Sequence, residues 1–151
     1  MAGQSEARER ARARRAARKL LTQALYQLEI GGHPWQDVHS QFVDDPTFAG
    51  ADPAYFKEVL MRVAEDRAAL DGRLSRYADI APERLDPVEH AILLVGLYEL
   101  VARPDVPYRV AISEAVELAR RYGATDGYKF VNGVLDRAAR DLRAAEYGRE
   151  A

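Results

Sequence analysis

The sequence predicts an all-α protein, and three observations carry that prediction. Every long segment repeats its apolar residues at three-to-four spacing, the period of an amphipathic helix, and no segment alternates as a half-buried strand does. Gly, Pro and Asp gather between these segments, where helices stop and start: Gly31-Gly32, 44-DDPTFAGADP-53 and Gly123. The chain is 151 residues long and 48% apolar, which suits one domain or two small helical subdomains sharing a core. We therefore expect about seven helices in two small bundles packed together. They form a single domain over 1–151, with an N-terminal subdomain to about 78 and a C-terminal one from about 79.

The first helix runs from about residue 7 to 30 and ends at the glycine pair. A shorter helix starts near Pro34-Trp35 and turns Val38 and Phe42 inward. After the Asp/Pro/Gly-rich loop, Asp52-Pro53 opens a third helix: Asp caps the free N–H groups, and Pro stands where its missing N–H costs nothing. Its stripe is Phe56, Val59, Leu60, Val63, Leu70, Leu74 and Tyr77. Asp86, Pro87 and Glu89 form a capping-box arrangement before the next helix. That helix is apolar almost all round from Ala91 to Leu100, as a buried central element is. In 103-RPDVPYRVAISEAVELARRYG-123, Ala111, Ile112, Ala115, Leu118, Ala119 and Tyr122 share one face, and Gly123 closes the helix. The last helix starts near Thr125-Asp126 and buries Val131, Val134, Leu135, Ala138 and Leu142, with Gly133 allowing close helix approach.

Several function classes are left without support. The absence of cysteine removes disulfides, thiolate metal sites and cysteine nucleophiles, and fits a cytoplasmic protein. The longest apolar run, 91-AILLVGLY-98, ends at Glu99 and is too short for a bilayer, so no membrane is expected. Glu6 and Glu9 count against an organellar presequence. His33, His39 and His90 are far apart and share no ligand spacing. Glycine-rich phosphate loops, G-x-S-x-G and H-E-x-x-H are missing. Glu117 has Arg121 four residues on, an ordinary surface pair. We expect no enzyme, no metal and no cofactor.

Charge is the informative feature. The whole chain is −2, but residues 1–19 hold seven Arg and Lys against Glu6 and Glu9, which is +5 and leaves −7 for the rest. A basic end on an acidic body points to an anionic partner for that end. With successive residues about 100° apart, Ala17, Leu20, Leu21, Ala24 and Leu28 make the core face of the first helix. Arg8, Arg12, Arg15 and Lys19 lie opposite, joined by Tyr26, with Thr22 and Gln23 filling the surface between. Cations for phosphates, amides and hydroxyls for base edges and a ring for stacking are what single-stranded RNA asks for. The alternative is a solvated face with Tyr26 covered by the second helix or a loop.

The segments 14-RRAARKLLTQALYQ-27, 86-DPVEHAILLVGLYEL-100, 106-VPYRVAISEAVELARRYG-123 and 129-KFVNGVLDRAARDL-142 closely resemble the NusB family of transcription antitermination factors, in order and over almost the whole chain. The N-terminus is longer and richer in arginine than in a minimal member. The resemblance implies an all-α, two-bundle fold and a non-catalytic function. That function is binding of boxA RNA as a heterodimer with the ribosomal protein NusE, within the RNA polymerase antitermination complex that serves ribosomal RNA operons. It implies RNA contacts at Arg14, Arg15, Arg18, Gln23 and Tyr26, and at Asp126, Lys129 and Phe130; Lys19 is added by helix geometry alone. It implies Glu89 as a NusE contact, although the capping box explains that residue equally well. Phe130 lies at the edge of its helix's core stripe, a core-rim position by geometry and an RNA contact by resemblance. Asp126 is an N-cap by position, with Thr125 as its competitor. Some members self-associate, so a homodimer is a further expectation. Two other readings stay open: a helical protein-interaction module that dimerises through the first helix, and an RNA-targeting domain akin to that of ribosomal RNA cytosine methyltransferases.

Overall fold

The structure, a computed structural model, describes residues 2–149. Among these, eight α-helices and two short 3-10 turns form and no strand occurs. The chain divides into two compact units, one through Glu65 and one from Asp66. The division falls earlier than 78 because Arg67–Tyr77, expected to continue the third helix, packs with the helices that follow it. The helix breaks at Asp66 alone (φ −102°, ψ 20°). The apolar stripe keeps its period across that residue, so the pattern carries no sign of the break.

In the first unit, α1 (Ala2–Gly31) packs against α2 (Trp35–Val43) and α3 (Pro53–Glu65). Residues 3–12 of α1 are exposed; burial begins around Ala13, whose carbonyl accepts the Asp52 N–H at 3.1 Å. Gly32, at φ +68°, releases the chain from α1 in a left-handed conformation that glycine adopts without penalty. The loop read as irregular holds a 3-10 turn, Pro46–Gly50. It seats Phe48 edge-on against Phe56, ring centroids 5.1 Å apart. Asp52 caps α3 through its bond from the Tyr55 N–H, as expected. Tyr55, Phe56, Val59, Leu60 and Val63 then fill the core with Leu21, Ala24, Leu25, Val38 and Phe42.

In the second unit, α4 (Arg67–Tyr77), α5 (Pro87–Ala102), α6 (Tyr108–Tyr122), α7 (Gly127–Leu142) and the short α8 (Ala144–Arg149) surround a core centred on α5, which is buried from Glu89 to Leu100. Asp86 caps it, accepting the N–H groups of Val88 and Glu89. The close approach of α5 and α7 is made at Gly96, where a Cβ would come within 2.8 Å of Leu135 Cδ1. It does not occur at Gly133, whose open side meets only the Arg137 guanidinium. His90 is buried in this core and its Nε2 meets Asp71 Oδ1 at 2.6 Å, with Arg67 beside both. Burial pushes the Asp71 carboxyl up, but the hydrogen bond and charge of His90, and then Arg67, hold it below its ordinary value. At the far end of α5, the Arg143 guanidinium donates to the carbonyls of Glu99, Leu100 and Arg103, and Glu146 accepts the Tyr108 N–H at the start of α6. One Arg-Glu pair thus closes one helix and opens the next.

Candidate nucleic-acid interface

Each unit presents a basic, aromatic surface. On α1, Arg8, Arg12, Arg15, Lys19, Gln23 and Tyr26 fall within an arc of about 80° around the helix axis and all are exposed. Tyr26 keeps 39% of its surface in contact with solvent, so neither α2 nor a loop covers the ring. Ile30, 63% exposed, continues the stripe.

The other α1 residues named from the sequence lie off this stripe. Arg18, expected on the RNA face, is only 4% exposed; its guanidinium lies over the buried Tyr55 ring at 5.7 Å. Arg14 is half-buried over the same ring at 5.0 Å. Thr22 is buried rather than part of the surface, with its hydroxyl donating to the Arg18 carbonyl at 3.0 Å. All three departures have one cause. α1 is packed by α2 and α3, so its buried arc extends well past the apolar stripe, towards Arg14, Arg18 and Thr22. Leu28, expected in the core, is left half-buried.

In the second unit the expected residues cluster at the turn from α6 into α7. Asp126 and Lys129 are exposed and paired, Nζ to Oδ1 3.5 Å, and Phe130 is half-buried. Asp126 has φ +64°, the left-handed region that costs most side chains energy and Asp less than most. Its side chain caps nothing on α7. Gly123 is the C-cap of α6, as expected, in extended backbone at φ −83°; glycine is needed there for space, because a Cβ would fall 2.7 Å from the Ala119 carbonyl oxygen.

Glu89 explains the shape of this turn. Its carboxylate does not return to its own helix start but accepts the Ala124 N–H at 3.0 Å and fills the space beside Gly127. A Cβ on Gly127 would collide with it. Glu89 is 7% exposed and supports the turn from beneath. Sequence reasoning passed over Tyr128, whose ring lies under the Arg120 guanidinium at 4.2 Å with the Lys129 ammonium at 5.9 Å. The signal was present in 127-GYKF-130, where two rings flank a lysine. Among the described residues no group of three His, Asp or Glu is placed to hold a metal ion, and no helix is long and apolar enough to cross a membrane.

The family model described as "NusB family" matches residues 15–140, which take in the α7 surface and the α1 stripe from Arg15 onwards. The chain belongs to the NusB family. It is 52% identical over 133 residues to the transcription antitermination protein NusB of Pseudomonas putida strain W619, covering 88% of this chain and 80% of that one. It is 44% identical to the protein of the same name from Thiobacillus denitrificans, over 88% and 92% of the two chains. Among solved structures it is similar to T. maritima NusB, with a TM-score of 0.75 and 30% identity over 89% of this chain and 96% of that one. The NusB match begins at Arg15, so the exposed arginines before it on α1 lie outside what the family model covers.

Proposed function

We propose that this NusB-family chain is a non-catalytic, cytoplasmic transcription antitermination factor. It binds boxA RNA together with NusE, within the RNA polymerase complex that transcribes ribosomal RNA operons. The observation that carries the RNA reading is the exposed α1 stripe, where an uncovered tyrosine continues a line of cations and an amide. Phosphates meet Arg8, Arg12, Arg15 and Lys19, Gln23 reads a base edge, and Tyr26 gives a stacking platform. In the second unit Lys129, Phe130 and Tyr128 supply a further cation and two rings. Arg14 and Arg18 hold the stripe in place through Tyr55 rather than touching RNA. Any effect of Glu89 on NusE binding is transmitted by the turn it supports.

A second reading has its own observation: Tyr26 and Ile30, four residues apart and both exposed, form an apolar pair suited to a homodimer. Titration of a fluorescent boxA-like 12-mer and a scrambled 12-mer at two salt concentrations separates the readings. RNA binding weakens by about 0.7 log units per log unit of salt for each phosphate contact, whereas an apolar dimer responds little. Tighter binding of the boxA-like strand is expected. Failure to bind either strand, with or without NusE, together with concentration-dependent self-association, overturns the proposal.

A further inference from the structure

Beside the α1 stripe lies a small cleft, with a volume of about 160 Å³, of whose lining the functional reading above uses only Gln23. Gln23 and Gln27 line it from α1, Gln41 and Phe42 from α2, Asp45 from the cap of the 3-10 turn and Thr47 from the turn itself. It has room for about five waters by volume, which suits one flat ring. Three amides converge on it, each with a donor and an acceptor end, Phe42 supplies an apolar wall, and a carboxylate stands at the rim. No cation lines it.

That makeup rejects phosphate and suits a base edge. Asp45 Oδ1 accepts both the Thr47 hydroxyl, at 2.6 Å, and the Thr47 N–H, at 2.8 Å. Those two bonds, the hydroxyl first, hold its carboxyl below the ordinary value, so it is an acceptor at neutral pH. A carboxylate accepts from the exocyclic amine of cytosine, adenine or guanine and finds no such donor on uracil. The cleft opens beside Tyr26, roughly 80° further round α1. A strand stacked on the Tyr26 ring therefore has its neighbouring base within reach of the three amides.

We infer that this cleft is a nucleobase subsite that takes an unstacked, amino-bearing base of a single-stranded RNA. The inference rests on the RNA-binding reading of the α1 stripe and extends it from affinity to sequence preference. Asp45, with Gln41 and Gln27, joins Gln23 in determining specificity, while Tyr26 and the cations hold the strand without regard to sequence.

The test uses the boxA-like 12-mer and a set of single replacements in which each amino-bearing base becomes uracil. The full chain is titrated as wild type, Gln41→Ala, Gln27→Ala and Tyr26→Ala, with circular dichroism confirming that each variant is folded. Wild type is expected to lose at least about fivefold in affinity at one replaced position, the discrimination that a good base-edge contact gives. Gln41→Ala is expected to bind the parent strand about fivefold more weakly and to show a weaker preference at that position, where Asp45 remains. If Tyr26→Ala weakens binding while Gln41→Ala and Gln27→Ala stay within about twofold of wild type at every position, the subsite is wrong and the RNA reading stands. If Tyr26→Ala has no effect either, the RNA reading of the α1 stripe fails, and the subsite fails with it.

Discussion

The two basic surfaces are built in opposite ways. The α1 stripe is a regular helix face: Arg15, Lys19, Gln23 and Tyr26 stand on backbone that would be helical whatever those side chains were, and all four point to solvent. The surface at the start of α7 sits on an irregular turn with Asp126 left-handed, and that turn is shaped by a buried carboxylate from α5. The binding proposed for α1 is therefore separable from folding, whereas that proposed for the α7 turn is tied to it. Substitutions on the stripe are expected to change affinity alone, whereas substitutions around the turn change stability and affinity at once.

Gly127→Ala tests the strong half of that statement and should have the largest effect. The added methyl collides with Glu89, so either the carboxylate withdraws and leaves the Ala124 N–H, or the turn moves. Urea denaturation should show a loss of roughly 1–3 kcal/mol, the usual cost of overpacking a tight site. RNA affinity should fall as well, although residue 127 has no side chain to offer RNA. A variant of wild-type stability and affinity would break the comparison.

Tyr26→Ala tests the other half. Losing one stacking platform should cost roughly 1–3 kcal/mol of RNA affinity and leave the denaturation midpoint within error of wild type, because the ring is exposed. Loss of stability comparable to the loss of affinity would mean that the ring packs rather than binds.

The arginines sharpen the contrast within a single helix. Arg15 and Arg18 are three residues apart, one exposed and one buried on the Tyr55 ring. Arg18→Ala is expected to lower stability by roughly 1–2 kcal/mol through lost cation–π contact and packing of its stem. Arg15→Ala should leave stability within about 0.5 kcal/mol. It should instead reduce the salt slope of RNA binding by about 0.7, one phosphate contact. Equal effects of the two variants on both measurements would contradict the division of labour.

This contrast also marks what was legible in the sequence. The all-α class, the helix order, the Asp52 and Asp86 caps and the exposure of Tyr26 follow from three-to-four periodicity and capping chemistry, which act within a few residues of chain. The burial of Arg18 and Thr22 was not legible, since it depends on where α2 and α3 lie against α1. The break at Asp66 was hidden because the apolar stripe keeps its phase through it. From local pattern Glu89 was readable as a cap on its own helix; it accepts from Ala124, 35 residues away, and no local pattern encodes a bond of that span. Tyr128 and Arg120 meet across a turn for the same reason. The α1 surface is a property of one segment, and the α7 surface is a property of the fold.

Asp126 carries the smallest and most diagnostic expectation. Its carboxylate stands beside Lys129, 3.5 Å from the ammonium, on a surface read as binding a polyanion. Asparagine tolerates the same left-handed backbone, so Asp126→Asn removes the charge without straining the turn. Lys129 is then released to a phosphate and one repulsive charge is gone. Exposed pairs are worth about 0.2–1 kcal/mol, which predicts an affinity gain of up to about fivefold. The salt slope should also steepen by up to about 0.7. Asp126→Ala is the control, because alanine is strained at φ +64° and its gain should be offset by lost stability. A lower affinity in Asp126→Asn would reverse the assignment: the carboxylate would then be accepting from a base amine, and the α7 turn would be reading sequence rather than limiting affinity.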